Sequence, residues 1–122
     1  MRPEDRDAAS LLDALEAARR IVTYIEGMSK DEYLSSSLKR AAVERELILI
    51  GEALNRLSQE TRKANPNISI PAIIGLRNRI IHEYEWIEHE TIFSIVTERV
   101  PELIEQLTRL IPPIPPDPEP EE

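Results

Sequence analysis

The sequence predicts an all-α fold, an up-and-down bundle of four to five helices. Apolar residues recur at spacings of three and four along most of the chain, and no stretch shows the alternation typical of a strand. Only three glycines occur in 122 residues, and a chain of this length accommodates one core rather than two. The pattern therefore predicts a single helical domain over residues 1–111.

The first predicted helix covers residues 5–27, and Gly27 is the residue type expected just beyond a helix end. Its apolar stripe consists of Leu11, Leu12, Leu15, Ala18, Val22 and Ile25. Ser29 and Glu32 have the spacing of a capping box, so a short helical turn should follow through Leu34.

The second predicted helix covers residues 37–63, on a stripe that consists of Val43, Leu47, Ile50, Leu54 and Leu57. Gly51, near the middle of this helix, should allow another helix to pack closely against it, because it has no side chain.

The third predicted helix begins at Ser69 and Pro71 and ends near residues 84–86. The fourth begins at residue 89 or 91 and runs to about residue 110, with a kink expected at Pro101. Residues 112–122 contain mainly Pro, Asp and Glu, so we expect a disordered acidic tail.

The third and fourth predicted helices carry more aliphatic side chains than one inward stripe can bury. These residues are Ile73, Ile74, Leu76, Ile80, Ile81, Ile92, Phe93, Ile95 and Val96. Because isologous pairing is the commonest way for a single chain to bury an extra face, we expect a twofold homodimer.

Composition excludes several classes of protein. The chain has no Cys and only two His, so thiolate zinc sites and disulfide scaffolds are excluded, and we expect neither a metal nor another cofactor. His82 and His89 are seven residues apart among glutamates, but a break expected between them removes the helical register that a shared metal would need.

No apolar run approaches the roughly 20 residues that span a bilayer, and the charged start has no signal-type apolar core, so we expect a cytoplasmic protein without a membrane partner.

The net charge of −8 argues against nucleic acid as a partner, and DNA is not expected. Four of the acidic residues lie in the tail, however, so residues 1–111 carry 15 basic and 19 acidic groups, a net charge of −4. A local basic cleft is compatible with that balance.

One segment carries the chemistry of a phosphate-ester site: Arg77, Asn78, Arg79, His82 and Tyr84. At about 100° per residue, Asn78 and His82 share a helix face, Arg77 and Tyr84 nearly share one, and Arg77 lies about 140° from His82. Arg77 must therefore wrap around the helix to reach His82, or meet the His82 of a symmetry mate.

The R-x4-H-x-Y pattern from Arg77 to Tyr84, with Asn78 directly after the Arg, resembles the HEPN superfamily of metal-independent RNases. The resemblance is specifically to HepT-type toxins, and it covers about residues 5–110. Further phrases typical of these proteins are Ile50-Gly51-Glu52-Ala53, the turn at Pro66, Ile74-Gly75-Leu76-Arg77-Asn78 and Val100-Pro101-Glu102-Leu103. The resemblance implies a HEPN-like bundle and an RNA substrate, either mRNA or tRNA.

The resemblance implies that Arg77 and His82 are the catalytic pair, in a composite cleft at the dimer interface. Metal-free scission needs a base for the 2′-hydroxyl, a cation for the phosphorane oxygens and an acid for the leaving 5′-oxygen. One His cannot serve both ends at once, whereas a dimer supplies two. Asn78 is expected to orient the site, and Arg79 to help hold phosphate.

In HepT-type proteins the Tyr of H-x-Y is adenylylated by a partner, an MntA-like minimal nucleotidyltransferase antitoxin. The resemblance places this modification on Tyr84, where the added nucleotide would occlude the site. It also implies a toxin–antitoxin complex that can be larger than the toxin dimer.

Other interpretations stay open. The chain could be a non-catalytic helical module that docks a nucleotidyltransferase or a nucleotide. The His82–Tyr84 segment could be ordinary helix capping. Tyr24, Tyr33, Trp86 and Phe93 are interpreted as packing residues at helix ends, with stacking on RNA bases as the alternative for Trp86.

Overall fold

A computed structural model describes residues 2–111, and over these residues the chain forms an all-α bundle, as predicted. Seven α-helices are joined by short connections, with one turn of 3₁₀ helix at Tyr84–Trp86. The helices are α1 Pro3–Ile25, α2 Lys30–Ser35, α3 Ser37–Asn55, α4 Gln59–Ala64, α5 Ile70–His82, α6 His89–Glu98 and α7 Val100–Leu110. The predicted tail, residues 112–122, lies outside the described residues. None of the helices described has the length and apolar content needed to cross a lipid bilayer.

The helices α1 and α3 form an antiparallel pair. Arg56 pairs with Asp13 at one end of it (3.2 Å), and Arg20 pairs with Glu46 towards the other (2.7 Å). Helix α7 packs on α1, and α5 packs on α3. The buried core includes Leu11, Leu15, Ile21, Val43, Leu47, Ile50, Leu54, Ile80, Ile92, Val96, Leu103 and Leu107.

The prediction of one helix over residues 37–63 is wrong, because α3 ends at Asn55 and α4 begins at Gln59. Ser58 caps α4 by accepting a hydrogen bond from the Thr61 backbone N–H (3.2 Å). Asp7 of α1, itself buried, accepts hydrogen bonds from the Ser58 backbone N–H (3.0 Å) and hydroxyl (2.6 Å). This contact between distant parts of the chain stabilises the break.

Of the other local expectations, those at Gly27 and Ser29 agree with the structure, whereas the continuous fourth helix and the burial of Val22 do not. Gly27 has a φ of +71° just after α1, and Ser29 and Glu32 form the predicted capping box. The kink expected at Pro101 is a break at Arg99, between α6 and α7. Proline has no N–H to donate and its ring crowds the preceding turn, so it is accommodated in the first turn of α7. Val22 was predicted within the α1 stripe but is 37% exposed, since the buried stripe passes through Ile21 instead.

Most of the surplus aliphatic side chains lie in the core or line a groove, whereas Ile81 is exposed. Ile80, Ile92 and Val96 are buried. Ile73, Leu76 and Ile95 are half-buried and line a groove of about 350 Å³ between α3, α5 and the α6–α7 pair. Apolar surface next to the Arg77 segment is thus left without a partner in the single chain.

Candidate active site

The guanidinium of Arg77 is held at the junction of α5 and α3. Its Nη1 donates a hydrogen bond to Asn78 Oδ1 (2.8 Å), and its Nη2 lies 3.7 Å from Glu52 Oε1 on α3. The Nε atom is buried and makes no hydrogen bond within the described residues. Helix α3 and Asn78 thus position the Arg77 side chain. It is 26% exposed, so part of it still reaches the surface.

Gly51 makes this placement possible. A Cβ atom built on Gly51 would lie 2.4 Å from Arg77 Cβ and 2.8 Å from Arg77 Cγ, which no real packing tolerates. The stem of Arg77 therefore lies directly on the α3 backbone. The close approach predicted at Gly51 is confirmed, and the residue that approaches is the candidate catalytic Arg77 itself.

Helix α5 ends at His82, whose side chain is exposed. Glu83 leaves helical geometry (φ −126°, ψ 37°), although its N–H still bonds to the Arg79 carbonyl (2.8 Å). Tyr84 then begins the 3₁₀ turn and is 59% exposed. The expectation that the helix continues to residues 84–86, which placed Tyr84 nearly on the face of Arg77, is wrong because the helical register ends at Glu83.

The single chain does not join the two candidate catalytic residues. Within the described residues, the Arg77 side chain bonds to Asn78 and pairs with Glu52, whereas the His82 side chain makes no hydrogen bond or ion pair. Asn78 and Arg79 are both exposed on α5. Arg77 thus lies against α3, while His82 is presented to solvent at the end of its helix.

Sequence reasoning missed a buried acidic group beside this segment. Glu44 of α3 is only 5% exposed, and its Oε1 lies 3.3 Å from Nδ1 of His89, the first residue of α6. Burial raises the pKa of the Glu44 carboxyl. Arg77 faces Gly51 and His89 faces Glu44, so the chain from α5 to α6 runs antiparallel to α3. No residue pattern in the sequence indicated this pair.

His89 Nδ1 therefore faces Glu44 rather than His82, although it makes no hydrogen bond to the Glu44 carboxyl. Over residues 2–111 no group of three or more His, Cys, Asp and Glu side chains is placed to hold a metal ion.

The aromatic residues divide into two groups. Tyr33 is fully buried and stacks on Phe93 with ring centroids 5.1 Å apart, and Tyr24 is half-buried, as expected of packing residues. Trp86 is 77% exposed, so the packing interpretation is wrong for it. It is the last residue of the 3₁₀ turn, and its side chain lies outside the core.

A family model matches most of this helical bundle. This family model, whose description is "Ribonuclease HepT-like", matches residues 14–110. The chain belongs to this family of HepT-like ribonucleases within the HEPN group.

Individual relatives agree with the assignment. "Putative RNase MJ1380" of Methanocaldococcus jannaschii is 34% identical over 95 residues, which cover 78% of this chain and 87% of the relative. "Putative RNase MJ0127" of the same organism is 32% identical over 109 residues, covering 89% and 90%. "Probable ribonuclease HepT" of Thermococcus cleftensis is 26% identical over 93 residues, covering 76% and 84%. No solved structure gives a significant match.

Proposed function

We propose that this protein is a metal-independent endoribonuclease toxin that cleaves RNA in a composite cleft between two protomers. Arg77 and His82 are the proposed catalytic residues, supported by Asn78 and Arg79. The observation that carries the proposal is the placement of Arg77, whose guanidinium is fixed by α3 and by Asn78 while remaining partly exposed. A positioned cation of this kind suits a developing phosphorane charge, because it needs little reorganisation when that charge appears.

The free donors of Arg77 fit a phosphate ligand. The Nη2 atom lies 3.7 Å from Glu52, which is an ion-pair distance but too long for a hydrogen bond. Its N–H groups are therefore available to phosphate oxygens, which guanidinium binds in a planar fork. The side-chain oxygen of Asn78, Oδ1, accepts from Nη1, so Asn78 orients the guanidinium.

A dimer supplies what one chain lacks. In a single protomer Arg77 lies against α3 and His82 is exposed at the end of α5, so one protomer presents one imidazole and one separated cation. Two protomers related by a twofold axis would contribute two imidazoles, one as base for the 2′-hydroxyl and one as acid for the 5′-oxygen. The unpartnered groove beside Leu76, directly before Arg77, supports a second protomer in this region.

Tyr84 is the proposed site of adenylylation by an MntA-like nucleotidyltransferase antitoxin. Its side chain is 59% exposed and follows His82 by two residues across the end of α5. An enzyme can reach such a hydroxyl without unfolding the toxin. The added nucleotide would bring negative charge and bulk beside His82, which would exclude substrate phosphate.

The ribonuclease proposal is tested with purified protein in the presence of a chelator. The wild type should cleave RNA, and His82→Ala and Arg77→Ala should each lower the rate by at least about a hundredfold, which is typical for loss of an acid–base or charge-stabilising group. His89→Ala is the matched control, since its imidazole pairs with Glu44 outside the proposed site. Cleavage by His82→Ala at the wild-type rate would overturn the proposal.

The regulatory step is tested separately. Co-expression with the nucleotidyltransferase should add one or more AMP units to the toxin, and Tyr84→Phe should abolish both the added mass and the protection from toxicity. Modification at Tyr24 or Tyr33 instead would contradict the assignment, and Tyr33 is already fully buried.

A non-catalytic docking module is the second candidate. It is favoured by the acidic surroundings of the motif, where Glu83, Glu85 and Glu88 are all exposed and repel phosphate. A module of this kind would bind the nucleotidyltransferase or a nucleotide and leave RNA uncut, so the chelator assay separates the two functions.

A further inference from the structure

Trp86 is exposed in a way that packing does not explain. Five large hydrophobic side chains are exposed over the described residues, and three of them, Ile81, Tyr84 and Trp86, lie within six positions of the chain. Trp86 is 77% exposed although Trp is usually largely buried. An indole left in solvent beside a proposed catalytic segment is accessible to a ligand with a flat apolar face.

The backbone under Trp86 is ordered by hydrogen bonds. The Trp86 N–H bonds to the Glu83 carbonyl (2.9 Å), and the Glu83 N–H bonds to Arg79 (2.8 Å). The hydrogen bond from Trp86 to Glu83 closes a turn that keeps the Cα atoms of these two residues within about 7 Å. The Cα atom of Trp86 therefore lies no more than about 11 Å from the Cα atom of His82. The two side chains can therefore contact the same short stretch of one RNA strand.

The charges around Trp86 decide between possible occupants. Glu83, Glu85 and Glu88 are exposed on both sides of it, whereas the centres of protein interfaces are depleted in charge. A second protomer or an apolar partner would have to desolvate these carboxylates. A nucleobase stacked on the indole covers only the ring face and leaves the carboxylates in water.

The same charges explain why a stacking residue would be useful. RNA binding usually draws its affinity from clustered Lys and Arg, but Arg79 is the only exposed basic residue in this short segment and Arg77 is paired with Glu52. Stacking on an aromatic ring provides affinity that does not depend on phosphate contacts and tolerates any base.

We propose that Trp86 is a stacking platform for an unpaired nucleobase of the substrate, next to the cleavage site. This inference rests on the proposed ribonuclease function and names its substrate class as single-stranded RNA. A base in a duplex has both faces covered by its neighbours and cannot stack on the indole without being unpaired.

The chain offers a direct measurement, because Trp86 is its only tryptophan. A short 2′-O-methyl RNA, which has no free 2′-hydroxyl and is not cleaved, is titrated into the protein while tryptophan emission is followed. The single strand should quench the emission saturably, and a duplex of the same length should not. Quenching that is equal for both, or absent while a labelled strand still binds by anisotropy, would overturn the inference.

Variants separate stacking from general surface effects. Trp86→Ala should weaken binding of the labelled strand about tenfold and raise KM by a similar factor with kcat nearly unchanged, whereas Trp86→Phe should retain most of the affinity. Val22→Ala, which trims an exposed apolar residue of α1, is the matched control and should bind like the wild type. Equal binding by wild type and Trp86→Ala would reject the platform.

Failure of this inference is distinguishable from failure of the proposed function. His82→Ala should lose cleavage but keep the quenching at Trp86. If His82→Ala loses cleavage but the wild type shows no quenching, the ribonuclease proposal stands and the stacking platform is rejected. Emission that is already shifted to the blue and shielded from acrylamide in the free protein would assign Trp86 to a protein interface and likewise remove it.

Discussion

Arg77 joins the core to the proposed chemistry. Its stem lies on Gly51, its Nη1 bonds to Asn78 and its Nη2 faces Glu52. The R-x4-H-x-Y pattern located the residue, but Glu52 is 25 positions earlier in the chain, and its pairing depends on how α3 and α5 pack. Local patterns identify which groups are present, whereas the partners that restrain them come from tertiary structure.

Glu52 is expected to restrain the guanidinium of Arg77, which is proposed to be catalytic. Glu52→Gln removes the carboxylate that faces Nη2, so Arg77 should be freer to bind phosphate, and KM for RNA should fall by up to about fivefold, the range expected for an exposed ion pair. Steady-state cleavage of a fluorogenic RNA measures this.

The matched control for Glu52→Gln is Glu105→Gln. Glu105 is exposed on α7 and does not line the groove beside Leu76. It removes the same charge, so a fall in KM that is equal in both variants would reflect net charge alone and contradict a specific restraint on Arg77.

At the scale of elements, the fit of α5 on α3 depends on Gly51. Gly51→Ala would place a Cβ 2.4 Å from Arg77 Cβ, an atom fixed to the α5 backbone, so the helix must shift. We expect a loss of about 1–3 kcal/mol in the free energy of unfolding, partly offset by the better helix propensity of Ala, and a larger loss of RNase activity. Urea denaturation and cleavage assays measure the two effects.

Gly75→Ala is the control for Gly51→Ala. A Cβ on Gly75 meets nothing within 4 Å in the single chain, so this variant should be stabilised by up to about 1 kcal/mol and keep its activity. If both variants lost stability equally, the close contact between Gly51 and Arg77 would not be the cause.

Asp7 ties α1 to the start of α4, and this contact should respond to pH. Burial opposes ionisation, but the hydrogen bonds from Ser58 and Thr61 outweigh it and lower the pKa of Asp7 below 3.8. A carboxyl with a lowered native pKa contributes stability above its unfolded pKa and loses it as pH falls through the native pKa. Asp7→Asn should therefore cost about 1–3 kcal/mol at neutral pH, and the difference from wild type should shrink below about pH 4.

Denaturation of Asp7→Asn at several pH values checks this, with Asp13→Asn as the control on the same helix. Asp13 is largely exposed and pairs with Arg56 only at the surface, so its loss should cost less than about 1 kcal/mol. A constant gap between wild type and Asp7→Asn down to pH 2 would contradict the role of the Asp7 carboxylate.

Periodicity predicted the long helices well and their interruptions poorly. The first helix, the capping box at Ser29 and the start of α5 were predicted within a few residues. The break after Asn55 was missed because Leu57 stays in phase with the α3 stripe, and the interaction that stabilises the break comes from Asp7, 51 residues before Ser58. The early end of α5 was missed for a related reason, since residues 83–86 contain neither Gly nor Pro.

At the scale of the whole molecule, the proposed site needs a second imidazole that one chain does not supply. The sequence supplied the candidate residues and the resemblance supplied their roles, but Arg77 and His82 are separated by the packing of Arg77 against α3. The contact between buried Glu44 and half-buried His89, at the start of α6, also escaped prediction because neither residue belongs to a recognisable pattern.

A composite site predicts how mixed dimers behave. Wild-type protein is mixed with His82→Ala in varying proportions and allowed to exchange subunits. If one imidazole from each protomer is needed, only dimers of two wild-type chains cut RNA, and activity falls with the square of the wild-type fraction. If each protomer acts alone, activity falls linearly. Val22→Ala, mixed in the same way, should leave activity unchanged, since its substitution on α1 touches neither Arg77 nor His82. A linear decrease with His82→Ala would place the whole reaction within one chain, where the exposed His82 would have to act as both base and acid.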